Sequence, residues 1–183
     1  MNKIKLIHHG GAIKSRRLDL MINMMNYLDK NKYELTFMLI KNDIKYYNYL
    51  LKLSKNISNI NFIEPVSFFE IIKTLNKYDI GIYILQPHNF NNKYALPNKI
   101  FEYVQARLAI AICPSIEMSK IIKQYNIGIC SDNFTPKSLA NAISSLSIEK
   151  IMEYKNNSHK YAKELSSDEN LIKIRNIISD LEI

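Results

Sequence analysis

The sequence predicts an α/β fold, a Rossmann-like doubly wound parallel sheet of six strands with helices on both faces and further helices at the C-terminus. Two observations support this prediction. Short apolar runs alternate with helical patterns along the 183 residues, as in chains built from βαβ units. The runs are apolar throughout rather than at every second residue, which is typical of strands buried on both sides. Without an internal repeat, a linker or a break in composition, residues 1–183 are predicted to form one domain.

Six apolar runs are the predicted strands, and each of them contains isoleucine. Isoleucine is β-branched and favours the pleated, buried surface of a sheet. Pro65 ends the third run, because proline cannot donate a ladder hydrogen bond. The predicted strands are residues 4–9, 33–40, 60–65, 80–85, 108–113 and 127–130.

Eight amphipathic stretches are the predicted helices, and five of them connect successive strands. These connections are expected to be right-handed crossovers, as in nearly all parallel sheets. The last stretches form a charged helical segment, residues 149–181, with apolar positions at helical spacing. The predicted helices are residues 16–29, 44–55, 68–78, 97–107, 115–125, 136–147, 149–165 and 168–181.

The apolar content and the two cysteines indicate the cellular compartment of the protein. A hydrophobic content of 47% is typical of a globular chain that can bury a sizeable core. No window approaches the ~18 consecutive apolar residues of a membrane span, and the apolar stretch at the N-terminus is too short for a signal peptide. Cys113 and Cys130 lie in apolar, strand-like runs. We expect two reduced thiols and a cytoplasmic protein.

A net charge of +8 favours anionic partners such as nucleotides, phosphates, lipid surfaces or nucleic acid. The lysines are dispersed, however, and no nucleic-acid recognition motif accompanies them. Specific binding to nucleic acid is therefore not expected.

The first loop after a strand, in HHGGAIKSRRLD, combines glycines with basic residues. Gly10 and Gly11 would let backbone amides approach a ligand closely. Lys14, Arg16 and Arg17 follow at the predicted helix start, where cations would reinforce an anion site. The alternative is an ordinary tight turn with solvated basic residues. The loop matches neither the G-x-G-x-x-G fingerprint nor a P-loop.

Three histidines near predicted strand ends could bind a metal or a ligand, or could have a structural role. His8 and His9 could bind metal, but no further acidic or cysteine partner is visible, so a structural or hydrogen-bonding role is predicted. His88 lies in the long, polar loop 86–97. Long loops at the carboxyl ends of strands are usually functional or mobile, so His88 either contacts a ligand or is solvated.

The stretch PNKIFEYVQAR places a lysine and a glutamate three residues apart on a helix. An advance of about 100° per residue puts Asn98, Lys99 and Glu102 on one side. One reading is a surface ion pair. The other is a ligand site, in which Lys99 and the helix start hold phosphate while Glu102 accepts hydrogen bonds from a ribose diol. Spacing alone does not separate them. The opposite, apolar stripe, expected to pack on the sheet, consists of Ile100, Phe101 and Val104.

The segment LPNKIFEYVQARLAIAICPSIEMSKIIKQYNIGICSDNFTPKSLANAISSL resembles the C-terminal, nucleotide-sugar-binding domain of GT-B glycosyltransferases of the family 4 type. These enzymes build capsule, lipopolysaccharide and other surface glycans. HHGGAIKSRRLDLMINMMNYL resembles the first strand, glycine loop and helix of the same domain. The resemblance covers about residues 3–147 and rests on the order and spacing of the motifs together.

The resemblance implies a role for each matching residue. Glu102 matches the glutamate that holds the donor ribose, and Lys99 and Asn98 match the helix start that meets the diphosphate. Arg16 matches a phosphate-binding basic residue, and Gly10 matches the strand-end glycine. The family moves a sugar from a nucleoside diphosphate to an acceptor hydroxyl without a metal, so neither a metal nor another cofactor is expected.

Several positions depart from the family pattern. Tyr94 replaces a common glutamate, Gly11 replaces an arginine that binds phosphate, and Arg17 replaces a glycine. Arg107, Leu108 and Ala109 stand where the family has glycine-x-proline. Gly11 stays a candidate binding residue through its backbone, but the lost arginine would weaken or alter donor binding.

The resemblance also implies that an N-terminal acceptor domain is absent, and with it the catalytic base, so no catalytic residue is assigned. The chain is then either one domain of a longer enzyme or a half that works with a partner chain supplying the acceptor domain. The alternative is a non-catalytic nucleotide-sugar-binding or scaffold subunit. Apolar positions in the last helices, together with the positive charge, could also favour peripheral docking on an anionic membrane.

Overall fold

Six strands are present in the computed structural model, which describes residues 3–181; residues 1, 2, 182 and 183 of the predicted domain lie outside it. All strand pairs are parallel. The strands are β1 (Ile4–Gly11), β2 (Tyr33–Ile40), β3 (Ile60–Ile63), β4 (Ile80–Tyr83), β5 (Ala109–Ile112) and β6 (Gly128–Cys130).

The strands lie in the order β3-β2-β1-β4-β5-β6. The chain winds outward from β1 in one direction, and from β4 in the other. The switch point between β1 and β4 is where sheets of this type bind ligands, beyond the carboxyl ends of the strands. The predicted six-stranded, doubly wound α/β sheet is confirmed.

The strand boundaries agree with the prediction at both ends of β2 and differ by one or two residues in the other five strands. β1 continues two residues past His9, because Gly10 and Gly11 still pair with the end of β2. β3 ends at Ile63, two residues before Pro65.

Nine helices are present within residues 3–181. They are α1 (Asp19–Met25), α2 (Ile44–Ser54), α3 (Ile71–Leu75), α4 (Phe90–Lys93), α5 (Asn98–Gln105), α6 (Ile116–Tyr125), α7 (Pro136–Ser144), α8 (Ile148–Tyr161) and α9 (Ser167–Leu181).

The first helix is shorter than predicted. Lys14–Arg16 forms a 3₁₀ turn, and Arg17 then adopts a left-handed backbone with φ of 51°. A residue in this conformation cannot continue a right-handed helix. The predicted helix start at residue 16 is therefore wrong, and both arginines precede α1. A second difference is α4, a short helix inside the predicted loop 86–97.

Each face of the sheet has its own core. Leu6 and Ile7 are both fully buried, but consecutive residues of a strand point to opposite faces. Leu6 packs in a cluster with α1, α2 and α7, and Ile7 packs in a cluster with α5 and α6. This two-sided burial explains why the strands read as continuous apolar runs.

Gly81 of β4 is required by a close approach of α5. A Cβ atom built at Gly81 would lie 2.4 Å from Cγ of Tyr103, a fully buried residue of α5. We expect Gly81→Ala to lower the free energy of unfolding by about 2–3 kcal/mol, because overpacking displaces the ring. Urea denaturation would measure it, and the double variant with Tyr103→Leu should recover part of the loss. A change below about 0.5 kcal/mol would contradict this packing.

The helix α9 presents apolar side chains to solvent. Six of them are half exposed or more: Leu171, Ile172, Ile174, Ile177, Ile178 and Leu181. In the described part of the chain, no helix is both long and apolar enough to cross a bilayer. Both cysteines are free thiols.

Candidate functional site

Tyr83, the last residue of β4, is the centre of a cluster at the switch point. Nη1 of Arg16 donates a hydrogen bond to the Tyr83 hydroxyl at 2.9 Å. The Lys99 ammonium lies over the face of the same ring, 4.0 Å from its centroid. Two of the predicted phosphate ligands, from the β1–α1 loop and from α5, therefore meet on one aromatic ring.

Lys99 is buried, so the prediction that it lies opposite the apolar stripe is wrong. The buried face of α5 consists of Lys99, Ile100, Tyr103 and Val104. Phe101, which the prediction included, is only partly buried. On a helical wheel Lys99 and Tyr103 are neighbours at i and i+4. Because the Tyr103 ring packs against Gly81, this side of α5 faces the sheet. Lys99, on the same side, is therefore buried as well.

Burial changes the charge state of Lys99. Desolvation and the nearby charge of Arg16 lower the pKa of the Lys99 ammonium to about 7, whereas the charge of Glu102 acts in the opposite direction. Two cations close together in a site of low polarity favour a bound anion, because an anion would stabilise both charges.

Gly10 lies beside the Lys99 ammonium. Its φ of 125° lies in the region that favours glycine. A Cβ atom at this position would lie 3.5 Å from Nζ of Lys99. The predicted strand-end glycine and the predicted lysine therefore lie side by side.

Glu102 lies on the more exposed side of α5, next to His9. Its Oε2 atom is 3.2 Å from Nε2 of His9, and the two side chains retain 22% and 7% of their exposure. The His9 nitrogen is buried, and at this distance it lacks the alignment of a hydrogen bond. Lys99 and Glu102 form no ion pair within 4.0 Å in the part of the chain described, so the surface ion-pair reading of this helix does not hold.

The start of α5 is open. Pro97 occupies the N-cap position and provides no side-chain cap. Asn98, the first helical residue, is exposed. The Ile100 amide donates to the Pro97 carbonyl at 3.1 Å, which leaves the amides of Asn98 and Lys99 available to a ligand, as is usual for anion sites at helix starts.

Gly11 points away from this cluster. A Cβ atom on Gly11 would lie 2.5 Å from Oδ1 of Asn42, in the loop after β2. The geometry therefore brings Gly10, Arg16, Lys99 and Glu102 to the switch point, with Gly11 on its β2 side.

Sequence reasoning missed Tyr83, Tyr103 and the contact of His9. His8 stacks on Tyr83 with ring centroids 5.4 Å apart, and its Nδ1 lies 3.0 Å from the carbonyl oxygen of Ile82. Burial and the charge of Lys99 hold the pKa of His8 well below its usual value, so the ring is neutral. No signal in the sequence indicates Tyr83, because the predicted strand continues to residue 85 and places this tyrosine inside it, whereas β4 ends at Tyr83.

His88 and Tyr94 lie on the surface around α4. His88 is exposed in the loop before α4, and Tyr94 after that helix is 41% exposed. Within residues 3–181, no group of three His, Cys, Asp or Glu side chains has the arrangement of a metal site.

The fold is shared with solved glycosyltransferase structures. A glycosyltransferase from Rickettsia africae superposes with a TM-score of 0.80 at 15% identity over 98% of this chain and 48% of its own. HepE from Anabaena, solved in complex with UDP-glucose, gives 0.80 at 11% identity over 98% and 49%. WaaG, a glycosyltransferase of lipopolysaccharide biosynthesis, gives 0.67 at 14% over 88% and 43%.

The chain therefore spans about half the length of these proteins. No protein-family model and no curated protein matches the sequence. Identities this low establish the fold alone, and the family 4 assignment stays a prediction. The resemblance to GT-B glycosyltransferases is confirmed at the level of architecture: the chain has the Rossmann-like fold found in one half of these enzymes.

Proposed function

We propose that this chain binds a nucleoside-diphosphate sugar and forms the donor-binding part of a glycosyltransferase, with a surface polysaccharide or a lipid-linked molecule as acceptor. The observation that carries the proposal is the buried ammonium of Lys99, held on Tyr83 beside Arg16 and next to Gly10. Nothing within 4.0 Å on the described chain neutralises it. A diphosphate supplies the missing negative charge.

Each part of the donor has a matching group. The diphosphate would lie against Lys99, Arg16 and the open amides of α5, and the ribose diol would donate hydrogen bonds to the Glu102 carboxylate. When the glycosidic bond to the diphosphate breaks, negative charge grows on the leaving oxygen. Lys99, Arg16 and the α5 amides would then stabilise that charge, which is how preorganised donors accelerate transfer.

The acceptor side requires groups beyond this site. The similar enzymes are about twice as long as this chain, and α9 carries an exposed apolar stripe. We therefore propose that an acceptor domain, in the same polypeptide or in a partner chain, completes the enzyme in the cytoplasm. Peripheral membrane contact is an additional proposal. A non-catalytic nucleotide-sugar-binding or scaffold subunit is the second candidate, favoured by Gly11 in place of a phosphate-binding arginine.

Calorimetric titration of the full chain with UDP, GDP, ADP and CDP tests the proposal. Micromolar to millimolar binding of one nucleotide is expected, with UDP as the first to try because HepE was solved with UDP-glucose. Absence of binding by all four would reject a donor site in this chain.

A further inference from the structure

A second cleft lies beside the donor site, on the other side of the Lys14–Arg16 turn. Arg16 reaches the Tyr83 hydroxyl, whereas its neighbours Lys14 and Arg17 line the cleft. Its volume is about 630 Å³, within the range of sites for small molecules. The lining residues are Lys14, Arg17, Asp19, Asp43, Lys45, Tyr46 and Tyr49.

One wall of the cleft is a fixed polar network. Nε and Nη2 of Arg17 donate to the Asp19 carboxylate at 3.0 and 2.9 Å. The Tyr46 hydroxyl donates to Oδ1 of Asp19 at 3.0 Å and accepts from the Asp19 amide at 3.2 Å. Burial raises the pKa of the Asp19 carboxyl, but the hydrogen bonds from Arg17 and Tyr46 outweigh it, and the net pKa is lowered. Asp19 is therefore ionised and fully partnered.

The other wall offers an aromatic surface and two unpaired cations. Tyr46 and Tyr49 stack with centroids 5.9 Å apart, and Tyr49 is 49% exposed. Asp43 caps α2 by accepting the Tyr46 amide at 3.0 Å. Lys14 and Lys45 are exposed, and neither has an ion-pair partner within 4.0 Å among residues 3–181.

The charges in the cleft favour an anion that also has a flat apolar face. Three basic side chains stand against two carboxylates, and both carboxylates already accept hydrogen bonds within the protein. The exposed Tyr49 ring offers an apolar surface with a polar hydroxyl, which is the character of aromatic side chains in wet binding sites. A sugar ring has such a face, with hydroxyls at its rim, and an acid group on it would reach the lysines.

We infer that this cleft binds a sugar residue bearing a negative charge, either a uronic acid or a sugar phosphate. The ring would lie on Tyr49, and the acid group would contact Lys14 and Lys45. Saccharide binding here does not depend on the donor site. Its role as a subsite for an acidic acceptor rests on the proposed function.

Chemical-shift titration of the ¹⁵N-labelled full chain tests this inference. Glucuronic acid and glucose 6-phosphate distinguish the two acid groups, and glucose and inorganic phosphate are the controls. We expect at least one acidic sugar to shift the amide resonances of residues 14–19 and 43–49 at millimolar concentration, with a response at least severalfold larger than either control. If inorganic phosphate shifts the resonances as strongly as the acidic sugars, the cleft is an ion site only. If glucose does so, the negative charge of the sugar does not contribute to binding. Either result, or no shift, would overturn the inference.

Two variants identify the contacts. Tyr49→Ala and Lys45→Ala should each weaken acidic-sugar binding about three- to tenfold, through lost ring contact and lost charge respectively. Tyr27→Ala, at a 54% exposed tyrosine of no described role, and Lys52→Ala on the same helix α2 are matched controls that should leave it unchanged. Equal losses in the variants and their controls would contradict the assignment.

A substitution in the donor site should leave binding in the cleft unchanged, and a substitution in the cleft should leave binding at the donor site unchanged. Glu102→Ala should weaken UDP binding and leave acidic-sugar binding unchanged, whereas Tyr49→Ala should do the reverse. Displacement of the acidic sugar by UDP would show that the cleft is part of a nucleotide site, which would overturn the inference of a separate saccharide site.

Discussion

Lys99→Met is expected to make the protein more stable while it weakens nucleotide binding about 10- to 100-fold. Methionine has a similar length and no charge to desolvate. Contact with the Tyr83 ring, worth up to about 2 kcal/mol for a desolvated cation, offsets part of the burial cost in the native protein. We therefore expect a net gain of about 1–2 kcal/mol, or about 2–4 °C in Tm for each kcal/mol. Loss of a charged hydrogen bond to phosphate accounts for the weaker binding.

The stability gain should depend on pH with a definite sign. The pKa of Lys99 is about 7 in the folded chain and near its ordinary value of 10.5 when unfolded. Between these values the unfolded chain binds more protons, so the wild type becomes more stable as pH rises from 7 toward 10.5. The advantage of Lys99→Met is therefore largest at pH 7 and below, and shrinks as pH approaches 10.5.

Thermal denaturation at pH 6.5 and pH 9.5, with calorimetry for binding, measures both effects. Lys52→Met on the exposed side of α2 is the matched control, with no change in either quantity. A Lys99→Met protein that is less stable than the wild type at pH 6.5 would contradict the buried, destabilising cation.

Glu102→Ala is expected to weaken UDP binding about tenfold or more and to abolish the preference for ribose over 2′-deoxyribose. A carboxylate that accepts two hydroxyl hydrogen bonds loses both when it is truncated, and each charged hydrogen bond contributes about 1.5–3 kcal/mol before solvent exposure reduces it. The wild type should therefore bind UDP more tightly than 2′-deoxy-UDP, and the variant should bind them equally.

The control for Glu102 is Glu117→Ala. Glu117 is a partly exposed glutamate near the start of α6 that pairs with Lys120 at 2.8 Å in an i,i+3 arrangement. Glu117 therefore forms the kind of surface ion pair that was the alternative prediction for Glu102 and Lys99. Equal UDP affinities of the two variants would remove Glu102 from the site.

The fold could be predicted because its signals are local and redundant. Each strand is an apolar run, and burial on both faces leaves no polar alternation to confuse the pattern. The boundaries that failed depend on single backbone conformations. Arg17 adopts a positive φ, and nothing in an arginine side chain indicates this conformation.

The candidate site could be predicted only in part. Its residues are distributed over β1, the Lys14–Arg16 turn, β4 and α5, and the order of these elements along the chain suggested which of them meet. The rotation of α5 could not be read from the helix alone, because the contact between Tyr103 and Gly81 decides it. Tyr83 was missed for a similar reason, since an aromatic residue inside a predicted strand has the pattern of a core residue, and only the contacts of Arg16 and Lys99 distinguish it.

In the proposed donor site, a diphosphate lies on the Lys99 ammonium. The pKa of Lys99, followed by ¹³C NMR at its Cε atom with and without saturating UDP, tests this contact most directly. We expect a midpoint near pH 7 in the free chain and a rise of at least one pH unit with UDP bound, because the anion stabilises the charged form. An unchanged midpoint at UDP saturation would show that the nucleotide binds elsewhere, and the account of the site would be wrong.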